Sequence, residues 1–218
     1  MYNTVIFDLD GTVLDGSEGI ISALRQMIKV QNYEMPKEDV LKSFIGPPLE
    51  KSFKDVFKLS DDDIKISISL FRSIYGANLQ NTTKIYSNML ELFDFLKKNG
   101  IKLGIATYKP QNFTDKLIQQ FNLGKYFDSI CGADNNNKLT KKDILLTCIN
   151  KMDASSKDCI FIGDSLSDAK AADKLGVKFI GVTYGFGLKP DDQLDFNYIK
   201  IANNTNDLLK YFKNLEKE

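Results

Sequence analysis

Thr4-Val5-Ile6-Phe7-Asp8-Leu9-Asp10-Gly11-Thr12-Val13-Leu14 is the stretch that decides the fold. Val5, Ile6 and Phe7 form a β-branched and aromatic run, which reads as a buried strand. Two carboxylates and a glycine follow it. Side chains alternate along a strand, so Asp8 and Asp10 point one way while Leu9 points into the core. Gly11 then allows a sharp turn. At ~5 Å and an effective dielectric of ~20, two such charges repel by roughly 3 kcal/mol. A strand end that keeps the pair either binds a cation or holds one acid protonated, and both habits belong to catalytic sites. A solvated Asp-Gly turn is the plainer alternative. The apolar run in front and the second acid two residues earlier speak against it.

Beyond Leu14 the pattern becomes helical. Ser17 is placed to cap a helix to about Val30, with Ile20, Ile21, Leu24, Met27 and Ile28 on its apolar side. Helices follow at 37–44, 49–57 and 61–79, separated by Gly46-Pro47-Pro48 and by a start at Ser60. No strand is legible between 15 and 82. From Tyr86 onward strands and helices alternate. Strands are expected at 101–106, 128–131, 159–162 and, as the last, 178–182; helices at 88–99, 111–121, 141–152, 168–175 and 206–215. Gly100 and Gly176 sit where helices end. Asn135-Asn136-Asn137 reads as an exposed loop. Such alternation argues for a parallel sheet covered by helices on both faces, with the helical stretch inserted after its first strand.

Composition narrows the chemistry. The 218 residues carry 29 Lys+Arg and 29 Asp+Glu, so no bulk field favours nucleic acid or an anionic membrane. There is no histidine, which excludes a histidine base, a Ser-His-Asp triad and any histidine metal site. Arg25 and Arg72 are the only arginines, so anion binding falls mostly to lysine. Cys131, Cys148 and Cys159 lie in apolar surroundings without Cys-x-x-Cys spacing, as expected of buried reduced thiols in a cytoplasmic protein. No run approaches the ~20 apolar residues of a membrane span.

In open α/β sheets, sites form at the carboxyl ends of strands. Those ends carry Asp8 and Asp10; then Thr107, Tyr108 and Lys109; then Lys141 and Lys142 opening a helix; then Asp164 with Asp168 one turn later. Hard oxygen ligands with a hydroxyl and a lysine are the inventory for phosphoryl transfer assisted by Mg²⁺. Each signal has a plainer reading, a capping threonine, a solvated lysine pair or an acid at a helix start. Their joint order along successive strand ends carries the inference.

That order resembles the haloacid dehalogenase-like superfamily, and within it the phosphoglycolate phosphatase-like branch. Asp8-Leu9-Asp10-Gly11-Thr12 is similar to its first motif, Thr107 to its second, Lys141 to its third and Gly163-Asp164-Ser165-Leu166-Ser167-Asp168 to its fourth. Ser43–Leu49 and Gly181–Gly185 are similar to further stretches of that branch. Tyr108 departs from the asparagine frequent there, and the third-motif lysine lacks its usual following proline, which leaves Lys142 as a competitor of Lys141. The resemblance implies a Rossmann-like α/β core at 1–14 and 83–218 with a helical cap at 15–82, hinged near Asp15–Gly16 and Thr82–Lys84. It implies Asp8 as nucleophile, Asp10 as general acid and base, and Thr107 and Lys141 on the phosphate oxygens. Mg²⁺ would be held by Asp8, the Asp10 carbonyl and Asp164, with Asp168 orienting that set. Tyr108, Lys109, Gly46 and Lys51 are the expected substrate contacts. The expected enzyme is a phosphatase of a small phosphate ester (phosphoglycolate, a nucleoside monophosphate or a sugar phosphate), a monomer or weak dimer. A phosphomutase of the beta-phosphoglucomutase type and a receiver-like phospho-acceptor without turnover are the alternatives.

Overall fold

A computed structural model describes residues 2–79, 82–134, 138–189 and 198–215. The expected loop at Asn135–Asn137 lies outside them. The first strand, β1 (Thr4–Phe7), is fully buried. It pairs in parallel with β4 (Lys102–Pro110) on one side and β6 (Cys159–Gly163) on the other. Adding β5 (Ser129–Ala133), β7 (Lys178–Val182) and β8 (Tyr198–Ala202) gives a six-stranded sheet in the order β5-β4-β1-β6-β7-β8. Every pairing in it is parallel.

Alternation along β1 sorts the core. Val5, Phe7 and Leu9 join the cluster that contains Leu92, Phe93 and Leu96 of α5 (Met89–Lys98) and Leu208 and Phe212 of α9 (Thr205–Leu215). Ile6 joins the opposite cluster, with Ile144, Leu145 and Cys148 of α7 (Lys141–Lys151) and Ala169 and Ala172 of α8 (Leu166–Leu175). By the same parity Asp8 faces α7 and α8, the side from which Lys141 and Asp168 approach it.

Among the described residues four α-helices lie between β1 and α5: α1 (Ser17–Val30), α2 (Glu38–Lys42), α3 (Leu49–Phe57) and α4 (Asp61–Asn78). They are bracketed by two strands of two residues each, β2 (Leu14–Asp15) and β3 (Lys84–Ile85), paired antiparallel. The segment's entry and exit therefore run side by side. A further α-helix, α6 (Gln111–Gln120), follows β4 directly.

Several sequence expectations need correction. Ser17 does not cap α1: Gly16 occupies that position, and Asp15 Oδ1 instead accepts from the Ser17 amide at 3.1 Å and its hydroxyl at 2.6 Å. The second strand runs on to Pro110, because the β4–β5 register shifts between Ala106 and Pro110 and bulges Thr107–Lys109 out of regular pairing. The strand expected as last is followed by β8, an edge strand whose five residues include Lys200. β2 and β3 were too short for any periodicity to reveal.

Phe93 is fully buried and its ring meets Phe7, Tyr126 and Phe127 at centroid distances of 5.3, 5.3 and 5.1 Å. Phe93→Ala should therefore cost about 3–5 kcal/mol in urea denaturation. A loss below about 1 kcal/mol would contradict the packing described.

Candidate active site

The β1 register pairs Phe7 with Ile105 and with Ile162, so β1, β4 and β6 reach one rim together. Asp8 leaves β1 there with its amide donating to the Ile162 carbonyl at 2.8 Å. Asp164 leaves β6 two residues after Ile162, and Thr107 lies two residues after Ile105. Among the described residues, carboxylate oxygens of Asp8, Asp164 and Asp168 all lie within 4.8 Å of one another.

Lys141 is the cation built into this cluster. Its Nζ stands 2.7 Å from Asp8 Oδ1 and 2.8 Å from Asp168 Oδ1, with the lysine side chain only 3% exposed. Burial works against the Lys141 ammonium, but the charges of Asp168 and Asp8 outweigh it and hold the pKa above its ordinary value. The backbone amide of Lys141 donates to Tyr108 Oη at 2.8 Å, which fixes the start of α7. Between the two competing lysines, the structure brings Lys141 to the cluster, not Lys142.

Asp168 serves two partners at once. Its Oδ2 accepts from the Ser165 hydroxyl at 2.6 Å and the Ser165 amide at 3.1 Å, a capping box at the start of α8. Its Oδ1 faces Lys141. With both oxygens engaged, Asp168 orients its neighbours. Of the two readings open in the sequence, the capping box realises the acid at a helix start, and the same residue stands beside Asp8 and Asp164.

Asp164 is held by a loop beyond β7. Its Oδ2 accepts from the Phe186 amide at 2.7 Å and the Gly187 amide at 3.3 Å. The approach is so close that a Cβ on Gly11 would lie 2.3 Å from that oxygen, and one on Gly185 2.4 Å from it. Burial first, then the charges of Asp8 and Asp168, push the Asp164 carboxyl up to about 8. Hard oxygen donors that repel one another in a dry pocket fit a divalent cation such as Mg²⁺.

Asp10 lies apart from that cluster. Its Oδ2 accepts from Lys109 Nζ at 2.7 Å, and the same ammonium donates to Tyr75 Oη at 2.8 Å. Lys109 is buried, yet Asp10 and Tyr75 hold its pKa above the ordinary value. Lys109, expected as a substrate contact, lines the cavity over Asp8 and Asp10 with its ammonium tied to Asp10. Thr107 is buried, and its hydroxyl accepts from the Lys109 amide at 3.2 Å.

A cavity of about 290 Å³ opens over Asp8, Asp10 and Thr107. Its far wall comes from the helical segment, with Phe44, Gly46, Pro48, Phe71, Arg72 and Tyr75. Gly46, in the left-handed region at φ 101°, lines that cavity. Lys51 does not: it is exposed on α3 and absent from the cavity wall. Tyr75 and the Phe186 amide escaped the sequence reading. An aromatic on an apolar helix face looks like core, and a backbone donor has no side-chain signature.

The family model for haloacid dehalogenase-like hydrolases matches residues 5–182. The chain belongs to that family. The haloacid dehalogenase-like hydrolase is 28% identical over 187 residues to a 5'-nucleotidase of Pseudomonas aeruginosa, covering 85% of each chain. It is 25% identical over 210 residues to phosphoglycolate phosphatase of Escherichia coli K12, covering 84% of this chain and 81% of that one. A crystal structure of a predicted phosphatase from Clostridium acetobutylicum superposes with a TM-score of 0.91 at 32% identity, over 98% of this chain and 99% of the other. The hydrolase resemblance read from the motifs and the α/β fold read from the alternation of strands and helices therefore stand. Among the described residues no helix is long and apolar enough to cross a membrane.

With Asp164 titrating near 8 when folded against 3.8 for an ordinary aspartate, the folded protein keeps a proton that the unfolded chain releases. Through this group, cation-free protein should lose stability as pH rises from about 4 to about 8, and Asp164→Asn should remove that part of the slope. Thermal melts in EDTA across that range measure it. An unchanged slope in the variant would contradict the assignment.

Proposed function

We propose that this hydrolase is an Mg²⁺-dependent phosphatase of small phosphate monoesters. The observation that supports it best is the meeting of Asp8, Asp164 and Asp168 within 4.8 Å with Lys141 seated on Asp8. Asp8, Asp164 and the Asp10 carbonyl would hold the cation, which when bound offsets the charge of the phosphate and of the carboxylates around it.

Asp8 attacks phosphorus, and the bond from phosphorus to the leaving oxygen breaks. Asp10 gives its proton to that oxygen. A water then attacks the aspartyl phosphate while Asp10 takes the proton back, freeing Asp8 and inorganic phosphate. Lys141 holds Asp8 in one orientation and adds a positive charge beside the transferred group. Thr107 supplies a hydroxyl at the same rim. The helical segment at 15–82 acts as a cap that excludes water and selects the leaving group, with β2 and β3 as its paired hinge. Phosphoglycolate, a nucleoside monophosphate or a sugar phosphate are the substrate classes to screen. The cytoplasm is the proposed compartment, and a monomer or weak dimer the proposed state.

An acid at position 10 separates this reading from a dehalogenase, and release of inorganic phosphate separates it from a mutase. With p-nitrophenyl phosphate and Mg²⁺, sustained turnover is expected; a single turnover would indicate a phospho-acceptor instead. Asp8→Asn should abolish turnover while leaving the melting curve that of a folded protein. Asp10→Asn should lower phosphate release from an alkyl ester by about 10²–10⁴-fold. Cys131→Ser should change activity less than about twofold, because its buried thiol lies in the core. Full activity in Asp8→Asn would remove the nucleophile assignment.

A further inference from the structure

Tyr75 belongs to α4, in the helical segment, yet its hydroxyl accepts a hydrogen bond from Lys109 Nζ on the sheet at 2.8 Å. The same ammonium reaches Asp10 Oδ2 at 2.7 Å. The Lys109 and Asp10 side chains are 4% and 15% exposed, and Tyr75 is 3% exposed. Packing fixes the tyrosine ring, stacked on Phe71 and edge-on to Phe113, each at a centroid distance of 5.6 Å. The ammonium also lies 4.9 Å from the centre of that ring. Both connections of the helical segment converge on this spot: a Cβ at Gly16 would stand 3.3 Å from Asp10 Oδ1, 3.6 Å from Tyr75 Oη and 3.8 Å from Thr83 Oγ1.

An ammonium this deep must direct its N–H groups at acceptors. Its direction is therefore set by where those acceptors stand, and one of them is a phenol anchored in another layer of the protein. We propose that Tyr75 is a positioning residue for Asp10: its hydroxyl aims Lys109, and Lys109 aims the Asp10 carboxyl at the leaving-group oxygen. This rests on the reading of Asp10 as proton donor. Removing the hydroxyl leaves Lys109 one acceptor short, so it turns toward Asp10 and pulls the carboxyl off line. Because α4 supplies the phenol, the donor is in line only while the helical segment sits over the rim.

The consequence depends on the leaving group. As the Asp8–phosphorus bond forms and the ester bond breaks, an alkoxide oxygen needs the Asp10 proton, whereas p-nitrophenolate departs as a stable anion. The test uses the full chain with Mg²⁺ and compares kcat/KM for benzyl phosphate and p-nitrophenyl phosphate, two esters of similar size. Tyr75→Phe, which keeps the ring and its packing, should lose about tenfold on benzyl phosphate and less than about twofold on p-nitrophenyl phosphate. The ratio of the two does not depend on how much of the variant is folded. An equal loss on both esters would mark Tyr75 as purely structural, and no loss on benzyl phosphate would make it idle; either overturns the proposal. Asp10→Asn measured alongside separates the failures. If that variant spares benzyl phosphate, the proton-donor reading falls and takes this inference with it. If it loses benzyl phosphate selectively while Tyr75→Phe does not, the inference falls alone.

Discussion

One lysine ammonium shared between two buried carboxylates is the interaction on which the rest of the site depends. Lys141 stands 2.7 Å from Asp8 and 2.8 Å from Asp168, and Asp164 completes the group, among the described residues without an ion pair of its own. Three acids against one lysine leave two negative charges uncompensated if all ionise, which is the charge of one divalent cation. Burial first, and then the charges of Asp8 and Asp168, raise the pKa of Asp164 in the same surroundings. Buried charge pairs seldom repay their desolvation in stability, so a cluster this dense is better explained by chemistry than by folding.

Backbone geometry makes the cluster possible. Parallel pairing with matched register brings the ends of β1 and β6 to one rim, beside the point where the sheet order turns from β4 on one side to β6 on the other. Glycines then clear the space. A side chain at Gly11 or Gly185 would strike Asp164, and one at Gly163 would strike Asp168 at 2.6 Å. The Asp-Gly of the first motif therefore serves the fourth motif as well as its own turn. α7 and α8 both begin beneath the rim with capping boxes, which places Lys141 and Asp168 on Asp8's side of the sheet.

Much of this was legible because it lay in local patterns. The apolar run before Asp8, the helical periodicity from Ser17 and the alternation after Tyr86 identify the layers, and side-chain parity gives Asp8 its direction. What escaped was either too short or not local. β2 and β3 have two residues each, β8 is a brief edge strand with a lysine in it, and the bulge at Thr107–Lys109 depends on the neighbouring strand. Lys109 illustrates the limit most clearly. Its place after Thr107 suggests a substrate contact, while its partners, Asp10 and Tyr75, lie 99 and 34 residues away in sequence. No window of sequence contains that triangle.

The role proposed for Lys141 and the three acids requires that Asp8 become covalently phosphorylated. Rapid acid quench of the wild-type protein turning over a phosphate ester, followed by mass spectrometry of its peptides, tests this most directly. A phosphoryl group on the peptide containing Asp8, lost when substrate is exhausted, is the expected result. Steady phosphate release with that peptide unmodified, or with the group on another residue, would contradict it.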